Sequence, residues 1–372
     1  MHGRTIVQVT LWNSPYMGNF LTSQLRLAAA VREELGLSTH LVLGADAGSL
    51  PWLSELDAAG VGWSLLPAHR RAFRGHLEAV LHDGSGALVH SHFTLGDLAA
   101  ASAARALRIP CVWHLHTGFV GYPPYQRAKD LLKMRLIARR DVARAVAVSP
   151  WIAALAERRG MPRERILTLP NAIVLERFAT LPDRTAARAR FALPEDVPVV
   201  LGLAWWPEVK GADVMLDALR TLAGPPPRAV GLLVGEDRLR EFVERREGGV
   251  PPWLRRSPFV SDPAWLYAAA DVFVSASRHE GQPYSLGEAL ACGLPSVMSE
   301  IDGTAVYRGA PGLRTFPSED AGALAETLSA LLGEPADARA AMGEANRAWA
   351  DEHLAIEPWC ERMVRLYWEL LR

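Results

Sequence analysis

Glu280 and Glu288 stand eight positions apart in the segment Ser277-Arg278-His279-Glu280-Gly281-Gln282-Pro283-Tyr284-Ser285-Leu286-Gly287-Glu288. Carboxylates accept hydrogen bonds from vicinal hydroxyls, and a helix start offers backbone N–H groups to phosphate oxygens. The run 271–275 before them reads as a buried strand, so Glu280 is expected in the loop leaving the strand's end, where open α/β sheets meet ligands. Pro283 suits the first turn of the following helix, Gly293 its C-terminal cap, and Pro295 the point where it cannot continue. Glu288 then lies on that helix, about one turn past the amides of Tyr284, Ser285 and Leu286, with Gly281 in the loop before it. A nucleotide sugar uses all of these parts at once. The alternative is a pair of ordinary exposed acids near a helix start, favoured there by the helix dipole.

The elements that must position these groups alternate along the whole chain. Strands are expected near 5–10, 40–44, 62–66, 87–91, 110–114, 145–149 and 166–169, then near 198–203, 229–234, 257–260, 271–275, 295–299 and 313–316. Helix-like stretches separate them, which is the pattern of parallel sheets covered by helices. The stretch from Leu181 to Pro198 is rich in proline and charge and reads as a linker. Two Rossmann-like domains follow, with a cleft between them facing the strand ends. Two His-x-His pairs, His90 with His92 and His114 with His116, fall at strand ends where alternate residues share a face. Four imidazoles can hold zinc, but no acidic or cysteine ligand accompanies them, and core histidines satisfied by backbone are the other reading.

Glu280 and Glu288, followed by Ala289-Leu290-Ala291-Cys292-Gly293-Leu294-Pro295, resemble the signature of family 4 retaining glycosyltransferases of the GT-B fold. Pro170-Asn171-Ala172-Ile173 with Arg177-Phe178, Lys210-Gly211-Ala212-Asp213, and Leu88-Val89-His90-Ser91-His92-Phe93 extend the resemblance over nearly the whole chain. It implies an α/β fold of two Rossmann-like domains, 1–180 on the acceptor side and 195–354 on the donor side, with a C-terminal helix, 355–372, crossing back to the first. It also implies transfer of a sugar, hexosyltransferase fashion, from a nucleotide-diphosphate sugar to an acceptor hydroxyl, with retained anomeric configuration, no metal and no cofactor. By position, Glu288 would hold the donor ribose, Glu280 the transferred sugar, and Lys210 the diphosphate. His116 would bond a sugar hydroxyl or support positive charge at the anomeric carbon. Lysine is scarce here: Lys129, Lys133 and Lys210 are the three among forty basic residues, so Lys210 reads as a chosen point charge.

The chain departs from the family pattern at three places. Gly202-Leu203-Ala204-Trp205-Trp206-Pro207-Glu208-Val209-Lys210 lacks the usual arginine before the lysine, leaving Lys210 alone or with an arginine from elsewhere, such as Arg278. Gly18-Asn19 replaces a Gly-Gly pair, with Gly18 kept as a diphosphate-approach residue, and Gly235-Glu236-Asp237 lacks a second glycine. Other readings of the same fold are a nucleotide-sugar epimerase, a phosphorylase, or a non-catalytic glycosyltransferase-like subunit.

Composition bounds the rest. A formal net charge of -1 gives no reason to expect nucleic acid as a partner. Cys111, Cys292 and Cys360 are odd in number and lack C-x-x-C spacing, as expected of reduced thiols in a cytoplasmic protein. The start of the chain shows no signal-peptide pattern, and no run reaches membrane-spanning length. Residues 125–144 carry seven basic side chains against Asp130 and Asp141. Lys129, Lys133, Arg140 and Arg144 fall on one expected helical face, read either as solvated or as a weak peripheral contact to the inner face of a membrane or to a lipid-linked acceptor. Tyr16, Phe20, Phe119, Tyr122 and Tyr125 suit stacking on a small-molecule or glycan acceptor ring, or packing against the core.

Overall fold

The computed structural model describes residues 4–12, 14–67, 69, 72–83, 85–93, 96–117, 131–224 and 228–372. The chain divides into two compact units, Met1–Ala172 together with Ile356–Arg372, and Ile173–Ala355.

In the first unit the strands are β1 Thr5–Val9, β2 Ser38–Leu43, β3 Gly62–Leu65, β4 Gly86–His92, β5 Cys111–Leu115, β6 Arg144–Ala147 and β7 Ile166–Thr168. They form one parallel sheet in the order β3-β2-β1-β4-β5-β6-β7. β1 reads Thr-Ile-Val-Gln-Val and is buried throughout, as a strand covered by helices on both faces must be. The helix Ile356–Leu371 belongs to this unit and packs on the helix Gly18–Leu35.

The second unit contains β8 Val199–Leu203, β9 Val230–Val234, β10 Leu254–Ser257, β11 Val272–Ser275, β12 Ser296–Glu300 and β13 Leu313–Pro317. Their order is β10-β9-β8-β11-β12-β13, again all parallel. Both sheets therefore reverse direction once, between β1 and β4 and between β8 and β11. That reversal is where a doubly wound sheet opens a crevice at the strand C-termini.

Three expectations need correction. The strand expected at 257–260 lies at Leu254–Ser257, because Pro258 has no amide to donate to the ladder. The stretch 181–198 is no linker but part of the second unit. Asp183 caps a helix, Arg184–Arg190, by accepting from the Ala186 amide at 2.9 Å. Arg188, 1% exposed, donates to Asp271 at 2.6 Å and to the carbonyls of Pro194 and Glu195. Of the charges that suggested a solvated segment, Arg188 is spent inside the fold, at the entrance of β11.

The basic stripe also fails. Lys133 is buried and bonds Asp97 at 2.6 Å, while Arg144 opens β6 rather than continuing a helix. Lys133–Ala138 is π-helical, which changes the side-chain spacing on which the stripe depended. Phe119, Tyr122, Tyr125, Arg127, Lys129 and Asp130 lie outside the described residues.

Candidate active site

In the second unit, adjacent strands at the reversal point deliver opposite charges. The loop after β8 carries Lys210, and the loop after β11 carries Ser277 and Glu280. The Lys210 ammonium ion pairs with the Glu280 carboxylate, whose same oxygen accepts from Ser277 Oγ at 2.8 Å. Both charged side chains are largely covered, at 12% and 13% exposure, so the pair is poorly screened by solvent. The ammonium also stands 5.3 Å from the centroid of the Trp205 ring, which is itself half exposed.

Two glycines make this juxtaposition possible. Gly211 adopts φ 64°, and a Cβ there would stand 2.1 Å from the carbonyl oxygen of Ala276 on the strand exit. At Gly303 a Cβ would stand 1.9 Å from the Glu280 carbonyl oxygen. Neither neighbour can yield, since each is backbone. Gly211→Ala is therefore expected to destabilise the second unit by more than about 1 kcal/mol and to move Lys210 away from Glu280. A thermal melt should fall by at least a few degrees, with transfer activity falling further; an unchanged melting curve would show that the loop accommodates the methyl group.

Arg278, one candidate to stand in for the missing arginine, is engaged elsewhere. It bonds Asp213 bidentately at 2.9 and 2.7 Å, Glu319 at 2.7 Å and the Glu208 carbonyl at 2.6 Å, while its amide donates to Val209. These bonds hold its guanidinium firmly protonated and brace the Lys210 loop.

Glu288 lies on the helix Tyr284–Ala291 and is 6% exposed. Tyr267, from the helix Ala264–Ala269, donates to its carboxylate at 2.7 Å. Burial raises the Glu288 pKa above the usual carboxylate range, against opposing pulls from the Tyr267 hydroxyl and Arg177. Pro283 is not in the first turn, as expected, but at the N-cap with extended backbone, its carbonyl accepting from Tyr307 at 2.8 Å. Proline has no side-chain oxygen to cap the helix, whose first amides are those of Tyr284, Ser285 and Leu286. Gly281 is buried in the connection between Glu280 and this helix. Tyr307 feels both carboxylates, which with burial raise its pKa, so one buried hydroxyl links the two halves of the segment.

The first unit holds the remaining candidates. Gly18, at φ 59°, begins the helix Gly18–Leu35. Asn19, in place of a second glycine, donates from Nδ2 to the Ala172 carbonyl at 2.6 Å and so ties the helix start to the end of the unit. His116 follows β5. Its Nε2 is 3.1 Å from His92 Nδ1, and its ring stacks on His114 and Phe93 at centroid distances of 4.3 and 4.4 Å. Burial and the neighbouring imidazoles depress its pKa well below the usual histidine range, so it is a neutral hydrogen-bonding group at physiological pH.

His90, His92 and His114 are buried, but they are not satisfied by backbone as core histidines were expected to be. His90 Nδ1 meets the Tyr367 hydroxyl at 2.6 Å. His90 Nε2, His92 Nε2 and both ring nitrogens of His114 have no partner among the described residues. Each such orphan costs about 1–3 kcal/mol. Burial pushes the His114 pKa down to about 3.

Sequence reasoning missed Tyr267, Ser277 and the seat of Lys210 on Trp205. Ser277 stood in the motif three residues before Glu280, and a hydroxyl at that spacing was a readable signal. Tyr267 carried none, because its contact with Glu288 is made between two helices.

Two parallel α/β units of this strand order are the architecture of the GT-B glycosyltransferases. The chain belongs to family 4 of that class. The signature described as Glycosyltransferase Family 4 matches residues 5–177, and that described as Glycosyl transferases group 1 matches residues 196–334. A D-inositol 3-phosphate glycosyltransferase of Catenulispora acidiphila is 30% identical over 372 aligned positions, covering 90% of this chain and 86% of that protein. A second enzyme of that description, from Geodermatophilus obscurus, is 32% identical over 281 positions; the match spans 68% of this chain and 62% of the relative's length. Among solved structures, Anabaena HepE in complex with UDP-glucose has a TM-score of 0.83 over 97% of this chain and 98% of its own, at 18% identity. At that identity the likeness concerns the fold.

Proposed function

We propose that the protein is a retaining glycosyltransferase that moves a sugar from a nucleotide-diphosphate sugar to an acceptor hydroxyl without a metal ion. The observation that carries this reading is the Lys210–Glu280 pair at the reversal point of the second sheet, continued through Gly281 to the start of the helix Tyr284–Ala291 and the buried Glu288. Breaking the anomeric bond leaves negative charge on the departing diphosphate. Lys210 and the amides of Tyr284, Ser285 and Leu286 supply positive potential for it, so the protein itself provides what a metal would otherwise supply. Without donor, the Lys210 charge is balanced by Glu280. An arriving diphosphate gives the ammonium a second anion, and Glu280 can then accept hydrogen bonds from the sugar hydroxyls. Glu288 takes the ribose hydroxyls, oriented by Tyr267. Gly18 gives the diphosphate room on the first unit, and His116, neutral, bonds a hydroxyl of the transferred sugar. The curated relatives act, by their names, on D-inositol 3-phosphate, which makes a phosphorylated polyol the first acceptor to try.

The test is a panel of nucleotide sugars incubated with and without that acceptor in the presence of a chelator, with products read by mass and by the anomeric proton coupling. A product that appears only with acceptor, in the donor's anomeric configuration, supports the proposal. Epimerisation of the donor alone, or an inverted product, overturns it.

Ionisation of Glu288 gives the reading a pH signature. Its folded-state pKa is raised, so on acidification it takes up a proton at higher pH than an ordinary glutamate. Protonation relieves the cost of burying the charge and does not unfold the protein, but it removes acceptor capacity for the ribose. Donor affinity should therefore decline toward acid from above the ordinary glutamate range, while the melting temperature does not fall in parallel. Glu288→Gln should abolish that acid limb; a limb that persists in the variant belongs to another group.

A further inference from the structure

Three buried histidines, each with at least one ring nitrogen that has no partner among the described residues, point to a site in the first unit that the transfer chemistry does not use. His90 and His92 lie two apart on β4, His114 lies in register with His92 on β5, and all three project to one face of the sheet. Each is at most 2% exposed. One ligand nitrogen from each can be chosen so that all lie within 4.8 Å of one another. The hydrogen bonds already made leave a ring nitrogen of each histidine for a metal. His90 Nδ1 is bonded to the Tyr367 hydroxyl and His92 Nδ1 to His116 Nε2, so in both rings Nε2 is the atom left over. Metal-ligating histidines show the same division, one nitrogen on the ion and the other held by a neighbour that fixes ring and tautomer. Gln8, in register with His90 on β1, is fully buried, and neither of its amide atoms has a partner among the described residues, so the same buried face carries a further oxygen donor.

We propose that His90, His92 and His114 bind a divalent first-row ion of the zinc type. Three neutral imidazoles with an open fourth position are a ligand set that zinc takes readily, at metal–nitrogen distances of about 2.0–2.1 Å. Those distances are shorter than the present spacing allows, so the rings close in on the ion when it binds. The site is separate from Lys210, Glu280 and Glu288, which belong to the other unit, and the ion takes no part in the transfer. Its structural consequence is local: with zinc on Nε2, His92 presents Nδ1–H to His116 and fixes that ring.

The experiment uses the full, untagged chain, unfolded and refolded with either zinc chloride or cobalt chloride, then freed of loose metal by gel filtration with a weak chelator. The expected result is roughly one zinc per chain by elemental analysis, and for the cobalt form the intense visible absorption of a four-coordinate nitrogen site. His114→Ala and His92→Gln should each lower the retained zinc at least tenfold. Wild-type protein that retains far less than one equivalent of either metal after refolding overturns the proposal and leaves buried water as the partner of these nitrogens. So does undiminished retention in both variants.

Discussion

Lys210→Ala is expected to lower kcat/KM for sugar transfer by about a hundred- to a thousandfold, the loss usual when one preorganised group facing developing negative charge is removed. The expectation rests on how little else the loop offers. Its two tryptophans bring no formal charge, and Arg278 is committed to Asp213 and Glu319. Lys210→Arg should recover little, because a planar fork does not reproduce a compact ammonium seated over Trp205 and beside Glu280. Removing the lysine also leaves Glu280 largely buried without its counter-ion, which costs stability as well as turnover. The double variant Lys210→Ala with Glu280→Gln separates the two effects. It should regain thermal stability relative to Lys210→Ala while staying inactive. Steady-state kinetics with melting curves on the same samples would read both, and a Lys210→Ala enzyme within a few-fold of wild type would remove the lysine from the chemistry.

The two glutamates should fail in different ways. Glu288→Ala is expected to raise the donor KM by on the order of ten- to a hundredfold with a smaller change in kcat, since a charged acceptor of hydroxyl hydrogen bonds contributes about 1.5–3 kcal/mol. Tyr267, deprived of its acceptor, then keeps only its 3.3 Å contact to the Ser285 carbonyl. Glu280→Ala should instead lower kcat, by roughly a hundredfold, and change donor KM less, because it acts on the sugar being transferred and on the position of Lys210. If both variants changed the same parameter by the same factor, the division of labour between ribose and transferred sugar would be wrong.

Particular residues show what the sequence made legible. The alternation of buried runs carried both sheets, and twelve of the thirteen described strands share at least three residues with their expected positions, because central parallel strands buried on both faces leave a strong apolar signal. β10 shifted by three residues since Pro258, read as part of a strand, closes one. The placement of Glu280 in a loop and of Glu288 on the following helix was legible because a strand exit and a helix start are local patterns. What escaped is nonlocal. Arg188 reads as a linker charge, yet its guanidinium is satisfied by Asp271, more than eighty positions away. Arg278 looks available for phosphate until the bonds to Asp213 and Glu319 are seen. The basic stripe was drawn on an ideal α-helical wheel, and the π-helical turn Lys133–Ala138 sends Lys133 inward to Asp97. No periodicity reports such a change of pitch.

The central claim is that the second unit grips the nucleotide diphosphate of a sugar donor through Lys210 and Glu288. Calorimetric titration of uridine, guanosine and adenosine diphosphates into the wild-type chain, Lys210→Ala and Glu288→Ala tests it without reference to any acceptor. The account predicts saturable one-to-one binding of one nucleotide by the wild type, weakened at least tenfold in each variant while both remain folded. Equal affinity in all three proteins would contradict it.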